Sequence, residues 1–334
     1  MSDTKQIIAL EGGGTRCQAL QMDVSGSVHG SHTAGPVNTN FVSFEKAQEA
    51  VLEAIQGALR EANRPGGDID ILVSALVGPR FGPELLGELL PKAEYRYAGE
   101  RDVVFARGGV YEPHGVALVA ATGATAWAVR KDDGRTAYLG GWGALLGDEG
   151  SAYSIGLLAL RAAAKACEGR LDLPTRLVEA VAEHFQLNLE LFKPELVALA
   201  YRKPLNRTEI AGLAPSVTAL AVQGDPAAAR IVQKVVCDLT SLAQHGARRL
   251  FEPEESFDFV TAGGLFNAGE MVLGPLRQGL LAEFPLARLT LGEENPALAL
   301  GKMTIHDIKN RSRISRLDEW EEWTKKLKGK NHAD

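Results

Sequence analysis

The stretch Leu139–Tyr153 reads LGGWGALLGDEGSAY, and it joins repeated glycines to the adjacent carboxylates Asp148 and Glu149. A helical pattern rich in Ala and Leu follows directly. Glycine lets a backbone approach a ligand closely because it has no Cβ. A carboxylate ahead of a helix either caps its N–H groups or points into a cleft. Alone, the stretch fits a capped loop-to-helix junction as well as a ligand site, and two other glycine turns favour the ligand site.

The first of these turns follows an apolar strand. The strand is predicted over Gln6–Leu10, the residues EGGGTR occupy Glu11–Arg16, and Cys17–Asp23 alternates like a second strand. Three consecutive glycines exceed the need of a plain hairpin, and their bare amides could hold a phosphate. A dinucleotide-binding fingerprint fits poorly because a strand, and not a helix, follows the glycines.

The same pattern occurs a second time. The apolar segment Gly115–Ala121 is followed by the turn Thr122–Thr125, and Ala126–Arg130 returns as a strand. Repetition of strand, glycine turn and strand predicts a duplicated α/β lobe, with the two phosphate turns facing each other across a cleft. A third glycine turn, Gly263–Phe266, follows a later strand.

Helices and strands alternate along the rest of the chain. Apolar spacing predicts helices over 44–63, 84–90, 154–167, 173–186, 188–200, 226–251 and 271–281, and strands over 69–76, 102–106, 257–262 and 288–291. We predict an N-terminal lobe of residues 1–115 and a C-terminal lobe of residues 116–302 with helical insertions at about 154–225. Residues 303–334 are predicted to form a C-terminal helix and tail, with Trp320 and Trp323 on a docking face.

Composition argues against several classes of protein. The chain has 334 residues with 45% hydrophobic content, enough for two lobes with cores of their own. A net charge of −6 and a pI of about 5.7 disfavour binding to nucleic acid or to a membrane surface. Cys17, Cys167 and Cys237 lie far apart without CxxC spacing, which is typical of reduced, mostly buried thiols. No segment reaches transmembrane length, so a soluble cytoplasmic protein is expected.

Four segments together carry a resemblance to a known family. They are Glu11–Arg16, Ala121–Thr125, Gly140–Tyr153 and Ala262–Phe266, in this order. In sequence and spacing they resemble the N-acetylglucosamine kinases and the wider BadF/BadG/BcrA/BcrD ATPase family, within the sugar kinase/Hsp70/actin superfamily. The resemblance covers about residues 6–302. It implies an α/β, two-lobed actin-like ATPase (ribonuclease H-like) fold with duplicated βββαβα lobes and a central cleft.

The resemblance also implies roles for individual residues. The implied ligands of the ATP phosphates are Gly12, Gly13, Gly14, Thr15, Thr122 and Gly123. Glu11 would hold Mg²⁺ through water, and Gly263 with Gly264 would lie against the adenosine. The implied sugar contacts are Asn38, Thr122, Gly141, Trp142, Asp148 and Glu149. The implied function is ATP- and Mg²⁺-dependent phosphorylation of an amino sugar at its primary hydroxyl by a homodimer, a reaction that needs positioning and charge neutralisation more than covalent chemistry.

The chain departs from the family pattern at the catalytic base. The family has an aspartate at the end of the strand before the second turn, and a strand over 102–106 ends without a carboxylate. An ungapped count back from Thr122 reaches Asp102, which would begin that strand, and Asp148 beside the sugar is the other candidate. Loss of a well-placed base costs about 10²–10⁴-fold in rate. The second turn also has Ala124 where the family usually has serine.

Two alternatives to a kinase therefore stay open. One is a non-catalytic or very slow nucleotide- and sugar-binding protein of the same fold. The lesser one is an ATPase activator of a dehydratase, which needs cysteines at a subunit interface to hold an iron–sulfur cluster. Cys167 and Cys237 fall within helical apolar patterns, where core positions are expected.

Overall fold

The computed structural model describes residues 5–201 and 205–310. The described residues divide into two compact units: residues 112–292 form the second unit, and the residues before 112 and after 292 form the first. The lobe limits of 115 and 302 remain predictions. Trp320, Trp323 and the tail predicted around them lie outside the described residues.

Helices account for much of both units. Within the described residues they are α1 (Phe44–Glu61), α2 (Pro83–Leu86), α3 (Glu100–Arg107), α4 (Ala152–Ala166), α5 (Leu177–Phe185), α6 (Phe192–Tyr201), α7 (Arg207–Ala211), α8 (Ala214–Val222), α9 (Pro226–Arg248), α10 (Glu270–Glu283) and α11 (Pro296–Asn310). The helices α1, α2, α3 and α11 belong to the first unit, and α4 to α10 belong to the second.

The first unit is built on a mixed five-stranded sheet in the order β3-β2-β1-β4-β5. Its strands are β1 (Gln6–Gly12), β2 (Cys17–Asp23), β3 (Val28–Ala34), β4 (Ile71–Leu76) and β5 (Glu94–Tyr97). β1, β2 and β3 are antiparallel, whereas β4 runs parallel to β1 and β5 runs parallel to β4. The carboxyl ends of β1, β4 and β5 therefore meet at one edge of the sheet.

Both faces of this sheet are covered by helices. Ile8 and Leu10 point into one core with α1, and Ile7 and Ala9 point into the other with α3 and α11. Alternation of this kind follows from the two-residue period of a strand, and each buried Ile or Leu contributes about 1.5–3 kcal/mol. The strand β1 is thereby fixed on both sides, which holds the glycine turn at its end in place.

The second unit repeats the topology of the first. Its sheet has the order β10-β9-β6-β7-β8, with β6, β7 and β8 antiparallel, β9 parallel to β6 and β10 parallel to β9. Its strands are β6 (Gly115–Ala120), β7 (Ala124–Val129), β8 (Thr136–Gly140), β9 (Asp258–Ala262) and β10 (Arg288–Leu291). The strand that precedes the glycine turn, β1 in one unit and β6 in the other, is central in each sheet. The predicted duplicated α/β fold is confirmed.

One predicted element has the wrong type. Residues 102–106 lie on the helix α3 and not on a strand. The Asp102 carboxylate accepts a hydrogen bond from the Gly99 N–H at 3.2 Å, which caps the start of the helix. Val103, Val104, Phe105 and Ala106 are all buried, so the apolar run looked like a buried strand. The strand of this region is β5, whose residues EYRY are half-exposed or exposed.

The cysteine positions also differ from expectation. Cys17 is buried, as predicted, but Cys167 and Cys237 are exposed and are not core residues. Cys167 ends α4 and Cys237 lies on the outer side of α9. A helical apolar pattern surrounds both positions, yet each falls on the polar side of its helix.

Candidate functional site

The first glycine turn is held by main-chain hydrogen bonds. The Gly13 N–H donates to the Arg16 carbonyl at 3.0 Å, which closes the turn between β1 and β2. The Gly13 carbonyl accepts from the N–H groups of Val37 and Asn38, at 2.9 Å and 3.2 Å. The turn and the Asn38 loop, which were predicted to hold phosphate and sugar respectively, are therefore neighbours within the first unit.

The three glycines of this turn have different surroundings. A Cβ on Gly12 would lie 2.9 Å from Val37 Cγ2, and one on Gly14 would lie 3.0 Å from the Phe41 ring. A Cβ on Gly13 would meet nothing closer than 3.9 Å. Gly12 is thus closely packed against Val37 and the Cys17 backbone, Gly14 adjoins the exposed Phe41 ring, and Gly13 has open space beside its Cα.

Charged side chains gather around the carboxyl end of β1. Burial raises the pKa of Glu11, the Arg16 and Arg107 guanidinium groups lower it, and the Glu100 carboxylate raises it again. Burial lowers the pKa of Arg107, although the Glu11 carboxylate opposes that change. Arg107 is fixed in part because its Nε–H donates to the Glu294 carbonyl at 2.8 Å. The edge of the first sheet therefore combines acidic and basic groups beside the glycine turn.

Glu100 is the acidic residue that the sequence analysis missed. It is the first residue of α3, and α3 begins shortly after β5 ends at Tyr97. Because β5 and β1 run in the same direction, Glu100 lies at the same sheet edge as Glu11. Glu100 is exposed to solvent, and partial desolvation by the neighbouring protein raises its pKa. A carboxylate in these surroundings, within reach of solvent, is a candidate for proton transfer.

Asp102 has a different setting from Glu100. Its side chain is buried, it accepts from the Gly99 N–H, and its Oδ1 lies 3.5 Å from Arg101 Nε. These contacts describe a capping residue in the first turn of α3. The proposed place of Asp102 at the start of a strand is therefore wrong.

The second glycine turn lies at the end of β6. The Ala121 N–H donates to the Gly123 carbonyl at 2.9 Å, which closes the turn that contains Thr122. The Ala152 N–H donates to the Ala121 carbonyl at 2.9 Å, and the Gly141 N–H donates to the Ala124 carbonyl at 3.2 Å. Both ends of the glycine-rich stretch Leu139–Tyr153 are thus hydrogen-bonded to this turn.

The side chain of Asp148 contacts the second turn. Its side chain is buried, and its Oδ1 accepts from the Ala124 N–H at 3.4 Å. Its backbone is left-handed, with φ of 64°, and its carbonyl accepts from Ser151 Oγ at 2.5 Å. Asp148 Oδ2 lies 2.7 Å from Arg207 Nη2, which makes a buried carboxylate with a cationic partner. Sequence reasoning had no signal for Arg207, which comes from the short helix α7 far along the chain.

The other predicted sugar-side residues of the second unit are open to solvent. Trp142 is 73% exposed, and Gly141 and Glu149 are also exposed. Gly141 has a φ of 71°, and a Cβ there would lie 1.9 Å from the Tyr138 hydroxyl oxygen. The glycine-rich stretch therefore presents an indole and a carboxylate outward from a backbone that only glycine permits.

The third glycine turn lies beside the second turn. Gly263 follows β9, which is paired in parallel with β6, and its φ is 120°. A Cβ on Gly263 would lie 2.3 Å from the Ala120 carbonyl oxygen, whereas one on Gly264 would meet open space. Thr122 and Gly263 thus lie at the carboxyl edge of neighbouring parallel strands, the usual ligand-binding edge of an α/β sheet.

Two sheets of one topology, each with a glycine turn after its central strand, define the class of actin-like ATPases. In fold, the chain is similar to the crystal structure of a proposed N-acetylglucosamine kinase from Chromobacterium violaceum, with a TM-score of 0.65 at 22% identity over 90% of this chain and 99% of that one. The chain belongs to the BadF/BadG/BcrA/BcrD ATPase family, whose model matches residues 10–280. The resemblance stated from the sequence is confirmed.

Two curated relatives are named as kinases of amino sugars. An N-acetylmuramic acid/N-acetylglucosamine kinase of Clostridium acetobutylicum is 23% identical over 85% of this chain and 93% of its own length. An N-acetyl-D-glucosamine kinase of Dictyostelium discoideum is 25% identical over 90% of this chain and 98% of its own length. Among the helices that the structure describes, none combines the length and apolar character needed to span a bilayer.

Proposed function

We propose that this chain is an ATP-dependent kinase that phosphorylates an N-acetylated amino sugar, N-acetylglucosamine or a close relative of it, at the primary hydroxyl. The observation that carries this proposal is the equivalent position of two glycine turns, Gly12–Gly14 after β1 and Ala121–Gly123 after β6, in sheets of the same topology. Both curated relatives are named as kinases of N-acetylglucosamine, which supports the acceptor.

The nucleotide is assigned to the glycine turns. In the first unit, Gly14 and Thr15 would offer N–H groups to the phosphates of ATP, because the Gly13 N–H already donates to the Arg16 carbonyl. Thr122 and Gly123 would do so in the second unit. Peptide N–H groups in such turns form anion-binding concavities that need no side-chain charge. Gly263 and Gly264 are assigned to the adenosine. They follow β9 at the same sheet edge as the second turn, and a Cβ on Gly264 would meet nothing within 4 Å.

The residues near Glu11 fit a magnesium ion that is bound mainly by phosphate oxygens and water. Mg²⁺ at a nucleotide commonly uses one or two carboxylates and keeps several waters. Burial and the Glu100 charge raise the pKa of Glu11, so a cation beside this carboxylate would relieve an existing electrostatic cost. Glu11 would hold the ion, which when bound neutralises charge on the phosphates. The described residues contain no group of three or more His, Cys, Asp or Glu side chains arranged for a metal.

We assign Glu100 as the general base, in place of Asp102 and Asp148. Its raised pKa brings the carboxylate closer to the range in which a base accepts a proton efficiently at neutral pH. Asp102 is engaged in capping α3, and Asp148 is buried against Arg207 and the Ala124 N–H. Glu100 would take the proton from the acceptor hydroxyl as its oxygen attacks phosphorus.

The sugar is assigned to Asn38, Thr122, Gly141, Trp142 and Glu149, as the resemblance implied, whereas the Asp148 side chain is buried against Arg207 and the Ala124 N–H. Asn38 lies against the first turn, since its N–H donates to Gly13, and its Oδ1 accepts from the Asn40 N–H at 2.9 Å. The exposed indole of Trp142 offers an apolar face that suits the ring or the acetyl group of such a sugar. A cytoplasmic location and a homodimer remain predictions.

A coupled assay of ADP release tests the proposal. Purified protein with ATP and Mg²⁺ is supplied in turn with N-acetylglucosamine, N-acetylmuramic acid, glucosamine and glucose. We expect ADP release that depends on an N-acetylated sugar, and its loss by about 10²–10⁴-fold in Glu100→Gln. Glu49→Gln, an exposed carboxylate on α1, is the matched control. Saturable ATP binding without sugar-dependent release would support the non-catalytic alternative instead.

A further inference from the structure

Arg207 occupies the space directly over the second glycine turn. A Cβ on Gly123 would lie 2.0 Å from Arg207 Nη2 and 2.6 Å from Asp148 Oδ1. The guanidinium group is therefore in contact with the backbone of the turn, and any side chain at position 123 would displace it. Neither the sequence pattern nor the resemblance gave Arg207 a role.

The helix that carries Arg207 is capped at its N-terminus and packed along one face. The Asn206 side chain accepts from the Glu209 N–H at 2.9 Å, and the Glu209 carboxylate accepts from the Asn206 N–H at 2.8 Å, which forms a capping box. The helix α7 also packs closely on α4, since a Cβ on Gly156 would lie 1.9 Å from the Ile210 carbonyl oxygen. Arg207 thus extends from a capped helix that is packed on α4.

Arg207 and Asp148 form an ion pair, with Nη2 at 2.7 Å from Oδ2 but without a hydrogen bond to that oxygen. A guanidinium has five N–H donors, so this ion pair leaves it able to bind a further anion. Among the described residues, Asp148 is the only acidic group within ion-pair distance of Arg207, and the Arg207 side chain is 42% exposed. With this exposure, the guanidinium group can bind an anionic oxygen beside the turn.

We propose that Arg207 binds the phosphoryl group during its transfer, and that Asp148 is the positioning residue that aims it. This inference rests on the proposed function, because it takes the turn of Thr122 and Gly123 as the place of the terminal phosphate. Charge builds on the phosphoryl oxygens in the transition state, and a fixed arginine there commonly contributes about 10³–10⁵-fold in rate. The buried Asp148 charge keeps the arginine in place before ATP binds.

The test compares Arg207→Gln with Arg207→Lys, and uses Arg135→Gln as a matched control on the β7–β8 connection. We expect kcat for sugar phosphorylation to fall at least 100-fold in Arg207→Gln, with recovery of part of the rate in Arg207→Lys and in Arg207→Ala supplied with free guanidinium. Titration with fluorescent nucleotides should show weaker ATP binding by about tenfold and unchanged AMP binding. Arg207→Gln/Asp148→Asn, which neutralises both partners, keeps the nucleotide comparison measurable if the single variant folds poorly.

The outcomes separate the two proposals. Wild-type protein that phosphorylates no sugar contradicts the proposed function, and the comparison of ATP with AMP still decides the role of Arg207. A wild-type rate in Arg207→Gln, or equal losses for ATP and AMP, would overturn the phosphoryl role. Loss of sugar affinity with an unchanged kcat and unchanged ATP binding would also overturn it, because Arg207 would then serve the sugar through Asp148.

Discussion

The substitution Gly13→Ala separates nucleotide binding from stability. The φ of Gly13 is outside the left-handed region, and the nearest atom to an added Cβ is Val77 Cβ at 3.9 Å. The new methyl group therefore enters open space, and replacement of Gly by Ala in a compatible conformation stabilises a protein by about 0.4–1 kcal/mol. We expect the melting temperature to stay level or rise slightly. A phosphate on the turn would meet the methyl group, so ATP affinity should fall at least about tenfold, or 1.4 kcal/mol.

Two further glycines provide the comparison for this experiment. Gly12→Ala places its Cβ 2.9 Å from Val37 Cγ2 and 3.1 Å from Cys17 Cα, and such overpacking costs about 1–3 kcal/mol. Gly67→Ala, where a Cβ would meet nothing within 4 Å, should change neither property. Calorimetric titration with ATP and thermal unfolding of the three variants give both readouts. Wild-type ATP affinity in Gly13→Ala would refute the assignment of this turn to the phosphates.

The remaining predictions concern Glu100, the third glycine turn and a helix cap. Desolvation raises the pKa of Glu100 in the folded state, so its ionisation lowers the stability of the protein as pH rises. The melting temperature of Glu100→Gln should therefore exceed that of wild type at pH 8, and the difference should vanish below about pH 4. A difference in melting temperature that stays constant from about pH 4 to pH 8 in scanning fluorimetry would contradict the raised pKa of Glu100. Gly263→Ala should destabilise the protein by about 2 kcal/mol or more in urea, because its Cβ would meet the Ala120 carbonyl oxygen at φ of 120°, whereas Gly264→Ala should not. Asp225→Ala removes the N-terminal cap of α9 and should lower the free energy of unfolding in urea by about 1–2 kcal/mol. An unchanged unfolding midpoint would show that the cap does not stabilise the protein.

The duplicated α/β fold could be predicted because the first strands of both units are short, apolar and followed by glycines, whereas β3, β5 and β8 were not predicted. β1 and β6 hold the central position in their sheets, so their patterns carried the clearest signal. The helix α3 was mistaken for a strand because Val103–Ala106 is buried all round and shows no period. Because of that error Glu100 was not considered, since a residue just before a strand is not expected at the carboxyl edge of a parallel sheet.

The contact of Arg207 with the second turn could not have been predicted. Arg207 lies in the helical insertion, and only the packing of α7 on α4 brings its side chain to Gly123 and Asp148. The sequence identified Asp148 as important but not its partner. Local patterns specify strands and turns, whereas such a contact depends on how distant helices pack together.

Identification of the product shows whether the chain transfers phosphate to the primary hydroxyl of the sugar. The protein is incubated with ATP, Mg²⁺ and N-acetylglucosamine, and the mixture is examined by ³¹P NMR with correlation to protons. We predict a new phosphomonoester signal that correlates with the two protons on the carbon bearing the primary hydroxyl. ADP and inorganic phosphate without a sugar phosphate, or no turnover of ATP at all, would contradict the proposed kinase activity.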